Sequence, residues 1–255
     1  MPSARHAVLT SARAELITNA GGFLKNVRWG AAETCRVCAG IPNPGYATCY
    51  HCEGWSQRDD LSDRLGFTTY AIDGTQSAWV MYGYKDQLPS DANARVVRLL
   101  HHYAVSGHWE CINSSPLGPV THWTTVPSLR GRTGPHRLRT VAAELLTGRL
   151  PVVDMRAGDD VQSTRDLRPE NFAVEYVPTG AHVLLIEDTW VGGGRTQSAA
   201  AALKRAGARA VTSMVLARWL TPGRGATTTF VATLGSDFEP DLCPFTGTAC
   251  GAPQR

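Results

Sequence analysis

The sequence predicts an α/β protein in which helices flank a parallel sheet and a small cysteine-rich module lies near the N-terminus. First, residues 181–217 contain an apolar strand, a glycine-rich turn, a helix and a second apolar strand in succession. Second, four of the seven cysteines are clustered in residues 35–52. Third, 18% of the 255 residues are charged and 43% are hydrophobic, which is typical of a folded chain and not of a disordered one.

Composition also limits the partners and the compartment. The net charge of +3 is too small to indicate a nucleic-acid partner by itself. No apolar stretch approaches the ~18 residues that cross a bilayer, and the N-terminal residues lack the apolar core of a secretory signal. We therefore expect a cytoplasmic protein without a membrane partner, in which thiols stay reduced.

Four regions follow one another along the chain. Residues 1–30 have a mild helical period and predict a lead-in helix, and residues 31–60 are rich in turns and carry the clustered cysteines. Residues 61–236 predict the main α/β domain, which leaves 237–255 as a C-terminal tail.

The main domain begins with short β-like runs separated by helical stretches. A turn at Asp73-Gly74 is expected to connect the first two strands. Strands are expected at 67–72, 78–82 and 120–126, and helices at 92–103 and 136–146.

The clearest unit lies at the end of the domain. Residues 181–186 form a continuous apolar run, as expected of a strand that is buried on both faces of a parallel sheet. A polar, glycine-rich turn covers 187–196, an alanine-rich helix covers 197–206, and a second apolar strand covers 211–217. This order predicts a βαβ unit whose first crossover carries a glycine-rich loop.

The cysteine cluster consists of two Cys-x2-Cys pairs that are separated by ten residues. Each pair can place two thiolates on one face of a tight turn, and two pairs complete a tetrahedron around Zn²⁺. Gly40 suits the close backbone approach that such a turn needs. The predicted ligands of a structural zinc site are Cys35, Cys38, Cys49 and Cys52.

Other interpretations of the cysteines stay open. The clustered thiols could instead form two disulfides or fill a small core, although reducing conditions and a turn-rich segment argue against both. His51 could replace one of the four ligands. Cys243 and Cys250 are interpreted as unpaired surface thiols, with a second metal or a contact with the cysteine module as the alternative.

The glycine-rich turn resembles the phosphoribosyl-diphosphate (PRPP) loop of type I phosphoribosyltransferases. Glycines let backbone N–H groups surround a phosphate, and the helix that follows favours negative charge at its N-terminus. Two adjacent carboxylates, Glu187 and Asp188, are placed to hold ribose hydroxyls. The P-loop and dinucleotide-binding glycine patterns are absent from the sequence. The alternative is an ordinary glycine-rich loop with two solvated acids.

The combination of cysteine module and loop resembles the ComF-like amidophosphoribosyltransferase family, which is linked to DNA uptake and competence. Three further segments are similar to that family, namely 82–85, 126–136 and 165–172. The resemblance implies a type I phosphoribosyltransferase fold for 61–236, a zinc ribbon at 31–60, and a glycosyltransferase reaction on PRPP with Mg²⁺. It implies that Glu187 and Asp188 are catalytic. The PRPP-binding residues would be Thr189, Gly192, Gly193, Gly194, Arg195, Thr196, Lys85, Ser128 and Arg130.

Three residues depart from the family pattern, and the first is Glu187, where aspartate is more frequent. The loop usually carries hydroxyl residues where Gly192 and Arg195 stand, so at least one hydroxyl contact to the 5′-phosphate is lost. Whether the protein is an enzyme is therefore left open. The expected activity is transfer of a phosphoribosyl group to a nitrogen nucleophile with loss of diphosphate. The alternative is a non-catalytic accessory factor that handles nucleic acid or a protein partner through the zinc ribbon.

Overall fold

A computed structural model describes residues 4–30, 33–85, 90–129, 136–163 and 165–250 of the chain. In this part of the molecule, no helix is long and apolar enough to cross a membrane.

A five-stranded sheet forms the centre of the structure, in the order β1-β2-β7-β6-β3, and a separate pair of short strands lies beside it. All neighbours in the sheet are parallel except β1, which pairs antiparallel with β2. The strands are β1 (Lys25–Asn26), β2 (Arg64–Ile72), β3 (His122–Thr125), β4 (Met155–Ala157), β5 (Phe172–Val174), β6 (His182–Trp190) and β7 (Ala210–Leu220). The predicted fold class, a mostly parallel α/β sheet flanked by helices, is confirmed.

Helices cover both faces of this sheet. A π-helical turn (Tyr103–Gly107) follows α4, and a 3-10 turn (Pro169–Asn171) precedes β5. The α-helices are α1 (Ala4–Ala20), α2 (Tyr50–Gly54), α3 (Gln76–Gly83), α4 (Asp91–His102), α5 (Trp109–Asn113), α6 (Arg137–Leu146), α7 (Gly194–Arg205) and α8 (Thr227–Ala232).

The predicted βαβ unit is present as β6, α7 and β7. Alternate side chains of β6 point to opposite faces, as the two-residue period of a strand requires. Leu184 and Ile186 lie in a core with α3, α4 and α6, whereas Val183 and Leu185 lie in a second core with α7. The strand is therefore buried on both faces, which explains its continuous apolar run.

Two boundaries of this unit differ from the prediction. Strand β6 continues to Trp190, whereas the turn was predicted to begin at Glu187. Ladder pairing with β7 continues through Glu187↔Val215 and Trp190↔Arg218, and it holds the acidic residues in extended backbone. Helix α7 begins at Gly194 instead of residue 197, so the glycine-rich bend is only a few residues long.

The predicted strand at 78–82 is wrong, because this segment belongs to helix α3. The turn at Asp73-Gly74 is present, but it leads into a helix that begins after Thr75. The buried residues Ser77, Val80 and Met81 follow the three-and-four spacing of a helix and not the alternation of a strand. In a parallel sheet the chain has to cross over one face before it forms the next strand, and α3 begins that crossover.

The C-terminal tail packs on the edge of the sheet. The Phe67 N–H donates to the Pro244 carbonyl at 3.0 Å, and the Trp29 indole N–H donates to the same oxygen at 3.2 Å. The ring of Phe245 fills the space that a side chain at Gly66 would need. Because the tail folds onto the sheet in this way, Cys243 is only 4% exposed, and the interpretation of this residue as a surface thiol is wrong.

Candidate functional site

The four clustered cysteines come together in the structure. Their sulfur atoms all lie within 4.8 Å of one another, and the Cys38 and Cys49 sulfurs are 3.7 Å apart. The first pair sits on a tight turn in which the Cys35 N–H donates to the Gly40 carbonyl at 2.7 Å. Cys49 and Cys52 lie at the start of α2. His51 is not a member of this group of ligand atoms.

This arrangement fits a zinc ion. With Zn–S bonds of about 2.3 Å, two sulfur atoms of a tetrahedral site lie about 3.8 Å apart, close to the separation of Cys38 and Cys49. A disulfide needs about 2.05 Å, and all four thiols are free. Four protein ligands leave no open position on the metal, so the ion would stabilise the module and would not take part in chemistry.

A buried arginine joins this cysteine module to the sheet. Arg218 of β7 is only 8% exposed, and its guanidinium donates to the carbonyls of Cys38 at 2.9 Å and Val191 at 3.0 Å. One of its nitrogens lies 3.6 Å from the Cys38 sulfur. A side chain at Gly40 would clash with this guanidinium. Arg218 thus connects the cysteine cluster to the residue that follows β6.

The module also contacts the glycine-rich loop directly. The His51 imidazole lies over Gly192, 3.3 Å from the position that a Cβ atom would occupy there. His51, the alternative metal ligand, thus lies against the loop and outside the group of four sulfur atoms. The cysteine module therefore supports the loop from one side.

The two predicted catalytic acids are both completely buried near the carboxyl end of β6. Because neighbouring residues of a strand point to opposite faces, Glu187 faces α7 and Asp188 faces α3 and α6. Ligands of parallel α/β sheets bind at this edge, outside the carboxyl ends of the strands.

Each acid is paired with a cation of the same chain. The Arg195 guanidinium binds Glu187 through two hydrogen bonds of 2.7 and 3.0 Å, and it lies 3.5 Å from Asp188. Lys85 donates to Asp188 at 2.8 Å. The Tyr84 hydroxyl donates to the other Asp188 oxygen, which lies 4.0 Å from a His136 ring nitrogen.

Burial and ion pairing act on the pKa values of these groups in opposite directions. Burial raises the pKa of Glu187, and the charge of Arg195 opposes that shift. Burial also acts to raise the pKa of Asp188, but the charges of Lys85 and Arg195 outweigh it, so this pKa lies below its ordinary value. Asp188 is thus held as a carboxylate.

The glycine-rich bend brings the chain into very close contact with its neighbours. Gly193 has a φ of 90° and caps the N-terminus of α7, where a Cβ atom would meet the Trp190 ring at 2.1 Å. A Cβ atom at Gly194 would lie 2.0 Å from the Arg165 carbonyl oxygen. Part of the need for glycine therefore comes from packing within the chain and not from a ligand.

The start of α7 nevertheless presents free donors. Within the described residues, the backbone N–H groups of residues 192–196 have no hydrogen-bond acceptor. Two buried side-chain atoms just before the bend, the Thr189 hydroxyl and the Trp190 ring nitrogen, also lack a partner there. A helix N-terminus with free N–H groups favours a bound anion.

The remaining predicted residues are distributed around this edge. Thr196 is buried in the first turn of α7, and Ser128 is half-buried in the loop that follows β3. Arg130 lies outside the described residues. The prediction missed Arg218 altogether. A charged residue among the apolar residues at the end of β7 was the available signal, because such a residue needs a buried partner.

Comparison with known proteins does not assign this chain to a family. No protein-family model matches this chain, and no curated protein matches it. Among solved structures, UMP synthase of Leishmania donovani is similar over 56% of this chain and 26% of its own, with 17% identity and a TM-score of 0.30.

A second similar structure is adenine phosphoribosyltransferase of Leishmania tarentolae. It matches over 55% of this chain and 65% of its own, with 20% identity and a TM-score of 0.32. This chain thus spans less than two thirds of either protein. At these TM-scores and identities, neither likeness carries an argument about this chain.

We predict that Arg218→Met lowers the free energy of unfolding by about 3–5 kcal/mol, as expected when one partner of a buried charged network is removed. The carbonyls of Cys38 and Val191 would lose their donor. Arg209→Met is the matched control, because exposed Arg209 also donates to two carbonyls. Urea unfolding of the zinc-loaded wild type and of each variant measures the change in the free energy of unfolding. Equal stability of the two variants would contradict the role given to Arg218.

We predict that Asp188→Asn lowers stability at pH 7 by on the order of 3 kcal/mol, because it leaves Lys85 and Arg195 short of one negative charge. Because folding lowers the pKa of Asp188, its carboxylate contributes its full stabilisation at pH values above 3.8, the pKa in the unfolded chain. The difference from the wild type should therefore shrink as the pH falls below 3.8.

Unfolding followed between pH 3 and pH 7 tests this dependence, with Asp154→Asn as the control. Asp154 is 87% exposed and lies 3.8 Å from Arg139, so its removal should have little effect at any pH. A stability difference for Asp188→Asn that does not change with pH would rule out the proposed ion pairing.

Proposed function

We propose that this protein binds PRPP, or another phosphorylated ribose, at the carboxyl edge of the sheet between β6 and α7. The observation that carries the proposal is the run of backbone N–H groups at residues 192–196, which have no acceptor among the described residues and follow the strand that carries two buried carboxylates. Phosphate suits the N–H groups, and carboxylates suit the hydroxyls of a ribose. A phosphorylated sugar combines the two.

The ion pairs at the acids suggest how the ligand is accommodated. Glu187 and Asp188 are occupied by Arg195 and Lys85. A ligand with several phosphate groups offers both cations new anionic partners, as Lys and Arg bind phosphate well. The carboxylates are then free to accept hydrogen bonds from ribose hydroxyls. Exchange of partners keeps each buried charge compensated at every stage.

The proposed reaction is transfer of the phosphoribosyl group. A nitrogen nucleophile forms a bond to C1 of the ribose while the bond from C1 to the diphosphate oxygen breaks, and diphosphate leaves with the electron pair. The nitrogen then loses a proton. Lys85 and residues of the loop after β3, including Ser128, would hold the diphosphate. Mg²⁺ would enter with the diphosphate, whose charge it partly neutralises.

A second candidate function is favoured by the same ion pairs. Both acids are completely buried and paired within the chain, so neither needs a ligand to compensate its charge. A non-catalytic accessory factor needs no ligand at these two acids. Such a factor would bind nucleic acid or a protein through the cysteine module.

We also propose membership of the ComF-like family, the division into four regions, and a cytoplasmic location.

Calorimetric titration with Mg²⁺-PRPP tests the binding site. We predict saturable binding by the zinc-loaded wild type and at least tenfold weaker binding by Thr196→Val. One hydrogen bond to a charged group is worth about 1.5–3 kcal/mol, which is about ten- to 150-fold in affinity. Thr229→Val, an exposed threonine of α8, is the matched control and should bind like the wild type.

The outcomes separate the two candidates. No heat at millimolar PRPP would overturn the proposed binding site. Binding without release of diphosphate, in the presence of ammonia, glutamine or nucleobases, would favour the accessory factor. A salt-dependent shift of single-stranded DNA would then support its nucleic-acid version, and no shift at low salt would exclude that version.

A further inference from the structure

Two of the three cysteines outside the N-terminal module lie close to a histidine. His108 lies between the π-helical turn and α5, Cys111 lies on α5, and Cys243 and Cys250 lie in the tail. The ligand atoms of His108, Cys111 and Cys250 are all within 4.8 Å of one another. Six of the seven cysteines thus belong to one of two groups of potential ligands, and the seventh is Cys243.

The histidine is oriented as a metal ligand would be. Its Nε2 lies 2.9 Å from the Pro240 carbonyl oxygen, which can only accept a hydrogen bond, so Nε2 carries the proton. The unprotonated Nδ1 then faces the Cys250 sulfur at 3.1 Å. A metal-binding histidine usually donates its other N–H to a carbonyl or a carboxylate in this manner.

Cys243 is the candidate for the fourth ligand. It is only 4% exposed, and its thiol interacts with the thiols of Cys111 and Cys250. Its sulfur lies outside the group of three ligand atoms that are within 4.8 Å of one another, so a bound metal would have to draw it closer.

The backbone around Cys243 resembles the turn of the N-terminal module. The Gly247 N–H donates to the Cys243 carbonyl at 2.8 Å, and the Cys243 N–H donates to the Thr248 carbonyl at 2.8 Å. Gly247 has a φ of 69°, which favours glycine at this position. At Cys35, the Ala39 N–H donates to the Cys35 carbonyl in the same four-residue relation. The turn at 243–248 thus repeats the hydrogen-bond pattern of the turn at 35–40, and Cys250 follows it.

A half-buried cation accompanies this cluster as well. The Arg64 guanidinium donates to the Cys111 carbonyl at 2.6 Å and lies 3.6 Å above the centre of the Phe245 ring. Zinc with three thiolates and a neutral histidine carries one net negative charge. Arg64 offsets that charge in the same way that Arg218 does beside Cys38.

We propose a second structural zinc site formed by His108, Cys111, Cys243 and Cys250. This site fastens the C-terminal tail to α5 and to the edge of the sheet. The donor set of three thiolates and one imidazole is one that zinc favours in structural sites, and it leaves no open coordination position. The site does not depend on the proposed function.

Metal analysis of the full chain tests the proposal. After reconstitution with excess Zn²⁺ and gel filtration, we predict two zinc ions per wild-type chain. His108→Gln and Cys250→Ser should each hold one. His102→Gln is the matched control, because His102 lies in the preceding helix and is away from the cluster, and it should keep two. One zinc per wild-type chain, or two in His108→Gln, would overturn the proposal.

Two further measurements do not depend on the folding of a variant. X-ray absorption at the zinc edge of the wild type should give an average of about 3.5 sulfur ligands per zinc, since one site has four and the other three. An average near 4 would contradict the second site. Intact mass under non-reducing conditions should show all thiols reduced, whereas a loss of two hydrogens would indicate a disulfide in place of the metal.

Discussion

A single buried guanidinium, that of Arg218, determines how the parts of this molecule fit together. It donates to the cysteine module through the Cys38 carbonyl and to the end of β6 through the Trp190 and Val191 carbonyls. A buried charge is tolerated only when its donors are satisfied, so these carbonyls have to lie where the guanidinium requires them. The cysteine module and the start of the glycine-rich loop are thereby fixed to each other.

The position of the loop then determines what the acids can do. Strand β6 continues past Glu187 and Asp188, so their side chains are buried on opposite faces instead of being solvated in a loop. Burial of two carboxylates demands two cations, and the chain provides Arg195 and Lys85. Arg195 stands where a hydroxyl residue is usual in the family that the loop resembles. Its pairing with Glu187 gives that departure a structural reason.

The sequence predicted a structural feature correctly where all residues that define the feature lie within a short segment of the chain. The cysteine spacing and the apolar run of β6 are local, and both predicted the correct structure. The segment 78–82 was ambiguous, because a short apolar run after a two-residue turn fits a strand or a helix equally well. The approach of Cys111 to Cys250 could not be predicted from local sequence, since residues so far apart in the chain meet only after the tail has folded onto β2.

Arg218 and Arg64 meet the same requirement, which is a cation beside a zinc site that has several thiolate ligands. Zinc bound by three or four thiolates has a net negative charge, and a site near the core needs a cation that water cannot supply. Arg218 meets this need from β7, and Arg64 meets it from β2. Arg64 also stacks on Phe245 of the tail. The same side chain therefore offsets the charge of the proposed second site and holds the tail in place. Loss of that metal should therefore loosen the tail before it affects the parallel sheet.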